Sequence, residues 1–322
     1  SPLISRFSGR SVSTLGLTSP SRRRRSLNLH ELNDNSRMTN NSRYNICIVQ
    51  PPGYIHSLAF AELAELLMYS IREAGHPAQI QTNQFVQGGV NVIVGAHLLD
   101  VSALRAVPEG TVVLNTEQLT GVGENWREQL TGWFQSGLEV WDYSPANIEV
   151  IKALGVENVR YLPIGYQKEL QRIDITVEQD IDVLFYGSLN ERRREIFNQI
   201  EAKGLNLKVL MGVYGKDRDQ WIARSKVVLN HHYYESQIFE IVRVSYLLTN
   251  AKAVVAEVNP ETVIDDRFRK GVVDVPYAGL VDAVCDLVGD TTKRKAQQRR
   301  ALNSIIKYPQ VDFTRPLLEY TH

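Results

Sequence analysis

Two segments of the chain open in the same way, and this duplication constrains the fold more than any other feature. Tyr44-Asn-Ile-Cys-Ile-Val-Gln50 is a short apolar run halted by Pro51-Pro52-Gly53, which reads as a buried strand ending in a turn. From Ser57 to Ala74 the apolar residues Leu58, Phe60, Ala61, Leu63, Ala64, Leu67, Met68 and Ile71 recur at helical spacing, with Ser57 as N-cap and Gly75 as stop. The construction restarts with Ile-Asp-Val-Leu-Phe-Tyr over 181–186, the turn Gly187-Ser188-Leu189-Asn190, and a helix rich in Arg and Glu over 191–203. Further strands are expected at 78–82, 91–95, 111–115 and 137–142, with an amphipathic helix at 147–154. In the second part strands are expected at 207–211, 227–229, 253–257 and 272–275, with helices at 218–225, 238–250, 280–289 and 292–306. Such alternation calls for parallel sheets covered on both faces. The expectation is therefore an α/β protein with domains at 44–165 and 166–310, flanked by tails at 1–43 and 311–322. The crevice between the domains is the default place for a ligand.

Charge excludes some partners. Lys+Arg and Asp+Glu are both 36 in 322 residues, so the whole-chain basic excess of a dedicated nucleic-acid binder is missing. Residues 1–43 hold eight arginines against Glu31 and Asp34, which leaves the body at −6. That stretch is rich in Ser and Arg, including the run Arg22–Arg25, and reads as disordered. Met38 stands as an internal start directly before the first strand, and an upstream-frame stretch is preferred to a transit peptide. Cys47 and Cys285 can form no disulfide framework and lack metal-ligand spacing, which fits a reducing, cytoplasmic setting. No apolar run reaches the roughly 18 residues of a membrane span.

The turn after the second opening carries the first candidate site. Gly187 and Ser188 leave backbone N–H groups free for an anion such as phosphate. Arg192, Arg193 and Arg194 sit in the first helical turn, against the helix dipole, so they either have an anionic partner or pair with Glu191 and Glu195 on a solvated face. Glu240 and Arg243, three apart on the next helix, either hold a ribose through its vicinal hydroxyls or form a plain intrahelical ion pair. His56, in the loop after the first strand, is either a helix-entry histidine packed on the turn or a general base, whose imidazole can take a proton near pH 7. Glu117 and Asp142 follow strands at the same sheet edge and are candidates to bind acceptor hydroxyls. The tryptophans 126, 133 and 141 fit the core better than a sugar platform.

Several chemistries lose their usual signals. His231 and His232 are adjacent with no third ligand at a fixed spacing, so a metal is disfavoured. Asp180 and Asp182 precede their strand, and Asp217 and Asp219 open a helix, where capping and dipole effects explain them. Gly121-Val-Gly123-Glu-Asn-Trp126 lacks the third glycine of a dinucleotide fingerprint, and P-loop and esterase motifs are absent.

The linker Tyr-Leu-Pro-Ile-Gly-Tyr166, the opening Asp-Val-Leu-Phe-Tyr-Gly-Ser188, and Phe-Glu-Ile-Val-Arg243 followed by Ala-Val-Val-Ala-Glu257 resemble glycosyltransferases of the GT-B fold, most nearly the bacterial group 1 type. The resemblance covers about residues 44–310. It implies two tandem Rossmann-like domains facing a central cleft, a nucleotide-sugar donor on the second and an acceptor on the first, and transfer without an essential metal or cofactor. On this resemblance Gly187 and Ser188 face the diphosphate, and Arg193 or a neighbour offsets the leaving charge. Tyr214 and Asn230 lie near the base or sugar, and Glu240 with Arg243 holds ribose and phosphate. The family's acidic pair seven residues apart is replaced by Glu235 and Glu240, five apart, which leaves retaining or inverting chemistry open. A helix around 292–306 is expected to cross back to the first domain, with the chain from Tyr308 as a loose end. The implied activity is hexosyl transfer to a hydroxyl of a glycan, small molecule or protein, with no nucleic-acid partner. The alternatives are an inactive GT-B-like protein that binds a nucleotide or a partner, and a sugar-phosphate epimerase.

Overall fold

The computed structural model of the chain describes residues 42–119, 124–233 and 239–321. The tail up to residue 41, the Gly121-Val-Gly123 motif, the Trp126 side chain and Glu235 lie outside the described residues. Residues 41–322 form one compact unit, which holds two parallel sheets.

Strands β1 (Tyr44–Ile48), β2 (Ala78–Thr82), β3 (Val90–Val94), β4 (Val112–Leu114), β5 (Glu139–Asp142) and β6 (Val159–Tyr161) make the first sheet, in the order β2-β1-β3-β4-β5-β6. Ile46 pairs with Ile80 on one side and Val92 on the other. All five residues of β1 and of β3 are buried, as expected of strands covered on both faces. Helices α1 (Ala61–Glu73), α2 (Glu124–Phe134) and α3 (Pro145–Ala153) supply the cover.

The second sheet contains β7 (Ile181–Tyr186), β8 (Leu207–Leu210), β9 (Ser225–Asn230), β10 (Ala253–Glu257) and β11 (Val273–Val275), in the order β11-β10-β9-β7-β8. Its helices are α4 (Glu191–Ala202), α5 (Gly215–Arg224), α6 (Ile241–Thr249), the single turn α7 (Asp266–Arg269), α8 (Leu280–Gly289) and α9 (Thr291–Ile305), and the chain ends in α10 (Gln310–Leu318). In both sheets the strand order reverses beside the first strand, and the loops leaving the carboxyl ends at such a point form the crevice of open α/β sheets.

Several expectations need correction. Ser57 caps no α-helix: residues 55–60 form a 3-10 segment, and the Ser57 hydroxyl donates to the Val49 carbonyl at 2.7 Å. The chain from Tyr308 is not a loose end. Helix α10 packs on α1, Ser70 Oγ meets Thr314 Oγ1 at 2.9 Å, and Tyr44 OH meets Thr321 Oγ1 at 2.6 Å. It is thus α10, and not the 292–306 helix, that crosses back, while α9 stays on α6 and β10. The crossing is pinned at the linker, where Tyr166 N donates to Tyr308 O at 2.8 Å and Gln310 N donates to Tyr166 O at 2.7 Å. A Cβ on Gly165 would run into the Tyr308 carbonyl, so only glycine lets the two backbones approach this closely. Trp133 and Trp141 are fully buried core residues.

Candidate functional site

The second-sheet wall of the crevice is built on three strand ends. Gly187, directly after β7, has φ 142, and a Cβ there would sit 3.1 Å from Arg243 Nη2, so its lack of a side chain lets the arginine lie against the turn. Asn190 then caps α4 by accepting from Arg193 N at 2.9 Å. At the end of β9, buried Asn230 bridges to the next helix: its Nδ2 donates to Glu240 Oε2 at 2.9 Å, and its Oδ1 accepts from Arg243 Nη1 at 3.3 Å. Glu240 and Arg243 are therefore joined through Asn230, not simply paired along α6.

Glu240 sits at the entrance to α6, with Oε1 3.7 Å from Arg193 Nη2 and Oε2 3.5 Å from His232 Nδ1. Burial pushes its carboxyl up, but His232, the Arg243 charge and the Asn230 hydrogen bond outweigh this and hold it at about 2. Arg243 has no carboxylate within ion-pair distance among the described residues and lies 5.1 Å over the Tyr186 ring. A fixed anion and a cation free of salt bridges thus stand side by side.

The three arginines of α4 have separate fates. Arg192 grips Glu257, with Nη1 to Oε2 at 2.7 Å, and stacks 4.1 Å over Tyr277, so its partner is a distant buried carboxylate and not Glu191 or Glu195. Arg193 is buried and donates to the Ser188 and His231 carbonyls, each at 2.7 Å. Burial and the neighbouring Arg243 charge lower it to about 10. It shapes the turn under the cavity. Arg194 lines the open cleft. His231 packs edge-on between Phe185 and Phe197, and burial with the Arg193 charge pushes it down to about 3, so it is a neutral core residue. No group of three or more His, Cys, Asp or Glu able to hold a metal occurs among the described residues.

The first-sheet wall is the loop after β4, clamped from below. Asn115 Nδ2 and Asn147 Nδ2 each donate to Glu117 O at 2.9 Å, Glu117 N donates to Asn115 Oδ1 at 3.2 Å, and Leu119 N donates to Asn147 Oδ1 at 3.0 Å. Asp142 lies beneath, fully buried, accepting from Asn115 Nδ2 and Ser144 N at 2.7 Å each. Burial raises its carboxyl to about 7. It supports the loop and binds no acceptor hydroxyl itself, contrary to expectation. The Glu117 side chain reaches the cleft with Oε1 3.3 Å from Nε2 of buried His97, which burial keeps below its ordinary pKa.

The walls meet where His56 Nδ1 and Tyr214 OH lie 2.7 Å apart. Tyr214 directly precedes α5 in the loop after β8, and His56 belongs to the 55–60 segment. Below them Arg218 Nη2 donates to Glu62 Oε1 of α1 at 2.7 Å. A cavity of about 840 Å³ runs between the walls, and a second of about 370 Å³ joins it, with Gln118, Ser188, Glu240 and Arg243 lining both.

Of the residues expected from sequence, His56, Glu117, Gly187, Ser188, Arg193, Tyr214, Glu240 and Arg243 line one or both cavities, and Asn230 stands directly behind. Sequence reasoning missed Tyr54, Gln118, Tyr143 and the role of His232, whose two ring nitrogens are buried at the cavity without hydrogen-bond partners. Tyr54 and Gln118 follow strand ends in the loops already singled out, and that position was the available signal.

No family model matches the chain. The chain is 28% identical over 203 residues to uncharacterized protein L137 of Acanthamoeba polyphaga mimivirus, across 61% of this chain and 26% of that protein, so it spans about a quarter of the length of this relative. Its structure is similar to that of the DNA-modifying enzyme beta-glucosyltransferase, studied with and without uridine diphosphoglucose, at TM-score 0.53 and 14% identity over 87% of this chain and 99% of that one. It is also similar to Anabaena HepE in complex with UDP, at TM-score 0.53 and 14% identity over 86% and 98% of the two chains. At these identities the likeness is one of fold, and the chain has the GT-B fold. No helix among the described residues is long and apolar enough to cross a membrane.

Proposed function

We propose that the chain is a glycosyltransferase moving a hexose-type sugar from a nucleoside diphosphate donor to an acceptor hydroxyl, without an essential metal. The observation carrying this reading is the Glu240–Asn230–Arg243 cluster beneath the Gly187 turn. Ionised Glu240 accepts hydrogen bonds from two vicinal ribose hydroxyls. Arg243 and the backbone N–H groups of residues 188–190 take the diphosphate; the Gly187 N–H, expected to be free, is instead donated to the Leu210 carbonyl at 3.1 Å and extends the sheet pairing. As the bond between the anomeric carbon and the diphosphate oxygen breaks, the charge left on the nucleotide falls against fixed donors, which serve where a divalent ion otherwise would. The similar structures holding UDP or uridine diphosphoglucose support this donor class.

Across the cleft, His56 is the proton acceptor. When Nδ1 carries the proton and donates it to Tyr214, Nε2 is left as the basic face toward the acceptor hydroxyl. Glu117, oriented by His97 and the loop clamp, accepts a hydrogen bond from that hydroxyl or its neighbour. The two free cysteines, one buried and one half-buried, accord with a reducing, cytoplasmic setting.

The test is a thermal-shift panel of UDP, GDP, ADP, TDP and CMP with and without EDTA, followed by donor turnover with the nucleotide selected. A selective, EDTA-insensitive rise is expected for one nucleoside diphosphate. No rise with any of them sinks the donor site.

A further inference from the structure

The two walls of the cleft differ in charge, and that difference bears on which acceptors fit. Residues 44–165, which build the first-sheet wall, carry five basic and twelve acidic side chains, a balance of −7, while 166–310 carry 22 and 20. Four of the five basic side chains are described, and none lines the cleft. Arg72 donates to Ala78 O at 2.9 Å, Lys152 pairs with Glu149, Arg160 pairs with Glu139 and stacks on Tyr320, and Arg105 lies in the 101–106 segment. The cleft arginines 193, 194, 218 and 243 all belong to the second-sheet wall.

What the first-sheet wall offers is a carboxylate among neutral hydrogen-bonding and aromatic groups. Glu117 faces the cleft, its His97 neighbour held by burial below the ordinary histidine pKa, while Glu62 is already paired with Arg218. Around Glu117 stand Tyr54, His56, Thr116 and Tyr143. A phosphate placed here meets a like charge in a cleft partly shielded from water and finds no cation on its own side among the described residues, whereas proteins that hold nucleic acid supply a basic stripe for the backbone. Hydroxyls and the apolar face of a sugar ring match the same surface.

Resting on the glycosyl-transfer reading, we infer that the acceptor is an uncharged saccharide or glycoside and not a phosphate-bearing polymer, in contrast to the DNA-modifying enzyme that shares the fold. The carboxylate of Glu117 selects the acceptor by repelling anions as well as by orienting the hydroxyl.

The experiment uses the full chain saturated with whichever nucleoside diphosphate raises its melting temperature. Saturation-transfer NMR then compares a neutral alkyl glucoside with its 6-phosphate, and sugar transfer is measured on both glycosides and on duplex DNA. The expected result is binding of the neutral glycoside at least about tenfold tighter than its phosphate, the scale of one unfavourable charge contact, with no sugar on DNA. Thr116→Lys, which sets a cation beside Glu117, is expected to narrow that preference several-fold. Equal or tighter binding of the phosphate, sugar placed on the DNA, or binding of neither glycoside overturns the inference. Failure of every nucleotide to bind removes the donor reading itself, and the inference falls with it.

Discussion

His56 and Tyr214, 158 residues apart in sequence, meet at 2.7 Å across the mouth of the cleft, so the proposed base on the first-sheet wall is held by a residue of the second.

Removing the imidazole should abolish turnover and spare the donor site. For His56→Ala, kcat is expected to fall by roughly 10²- to 10⁴-fold, the range of general acid–base catalysis, with nucleotide affinity within about twofold of wild type, because the Glu240–Asn230–Arg243 cluster is left in place and Tyr214 loses one partner only. Tyr214→Phe keeps the base and loses its anchor, so a smaller fall is expected. Nucleotide release assays with isothermal titration check both, and a wild-type rate in the alanine variant removes His56 as the base.

Glu240 should set nucleotide affinity. Losing a charged hydrogen bond costs about 1.5–3 kcal/mol, which is roughly a 10- to 150-fold rise in Kd for Glu240→Ala at constant turnover chemistry. Its carboxyl, held at about 2 against an ordinary 4.5, stabilises the fold above the ordinary value, and that contribution disappears only as pH falls through 2. Nucleotide affinity should therefore show no acid limb from this group between pH 5 and 8. Calorimetry across that range reads both effects, and an unchanged Kd in the variant speaks against the site.

Asp142 predicts the opposite sign. Burial lifts it to about 7 from 3.8, so between these values the folded chain keeps a proton that the unfolded chain releases. Stability from this group is full below about 4, declines as pH rises through 7, and is flat above it. Asp142→Asn, which cannot ionise, should gain on the wild type by a few kcal/mol on going from pH 4 to pH 8. Urea unfolding at the two pH values measures the difference, and a constant offset contradicts the assignment.

Arg192 illustrates a purely structural arginine beside the site. Glu257 is fully buried, and Arg192→Ala leaves its charge uncompensated, for an expected loss of about 3–5 kcal/mol. Nucleotide affinity measured below the new melting temperature should stay close to wild type. A large affinity loss in a stable variant would instead place Arg192 on the ligand.

The clamp under Glu117 shows why part of the site was hidden in the sequence. Asn115, Asp142 and Asn147 come from the ends of β4 and β5 and the start of α3, and nothing in their spacing marks them as partners until the sheet sets those ends side by side. Arg193 shows the converse. Its place in the first helical turn was legible, but its guanidinium turns inward to two carbonyls, a choice made by the local path of the 187–190 turn. Helix α10 escaped because its buried apolar residues Val311, Leu317 and Leu318 are few, and their periodicity makes sense only against α1.

The sequence by itself determined the two parallel sheets, because apolar runs of strand length alternating with helical periodicity have no other way to bury both faces. It also determined that the polar clusters follow strand ends, and hence face one crevice. Tertiary structure alone decided which of those polar groups meet: Asn230 between Glu240 and Arg243, His97 behind Glu117, and His56 against Tyr214. Contacts of that kind depend on the relative placement of strands and helices far apart in the chain, and local propensity carries no record of it.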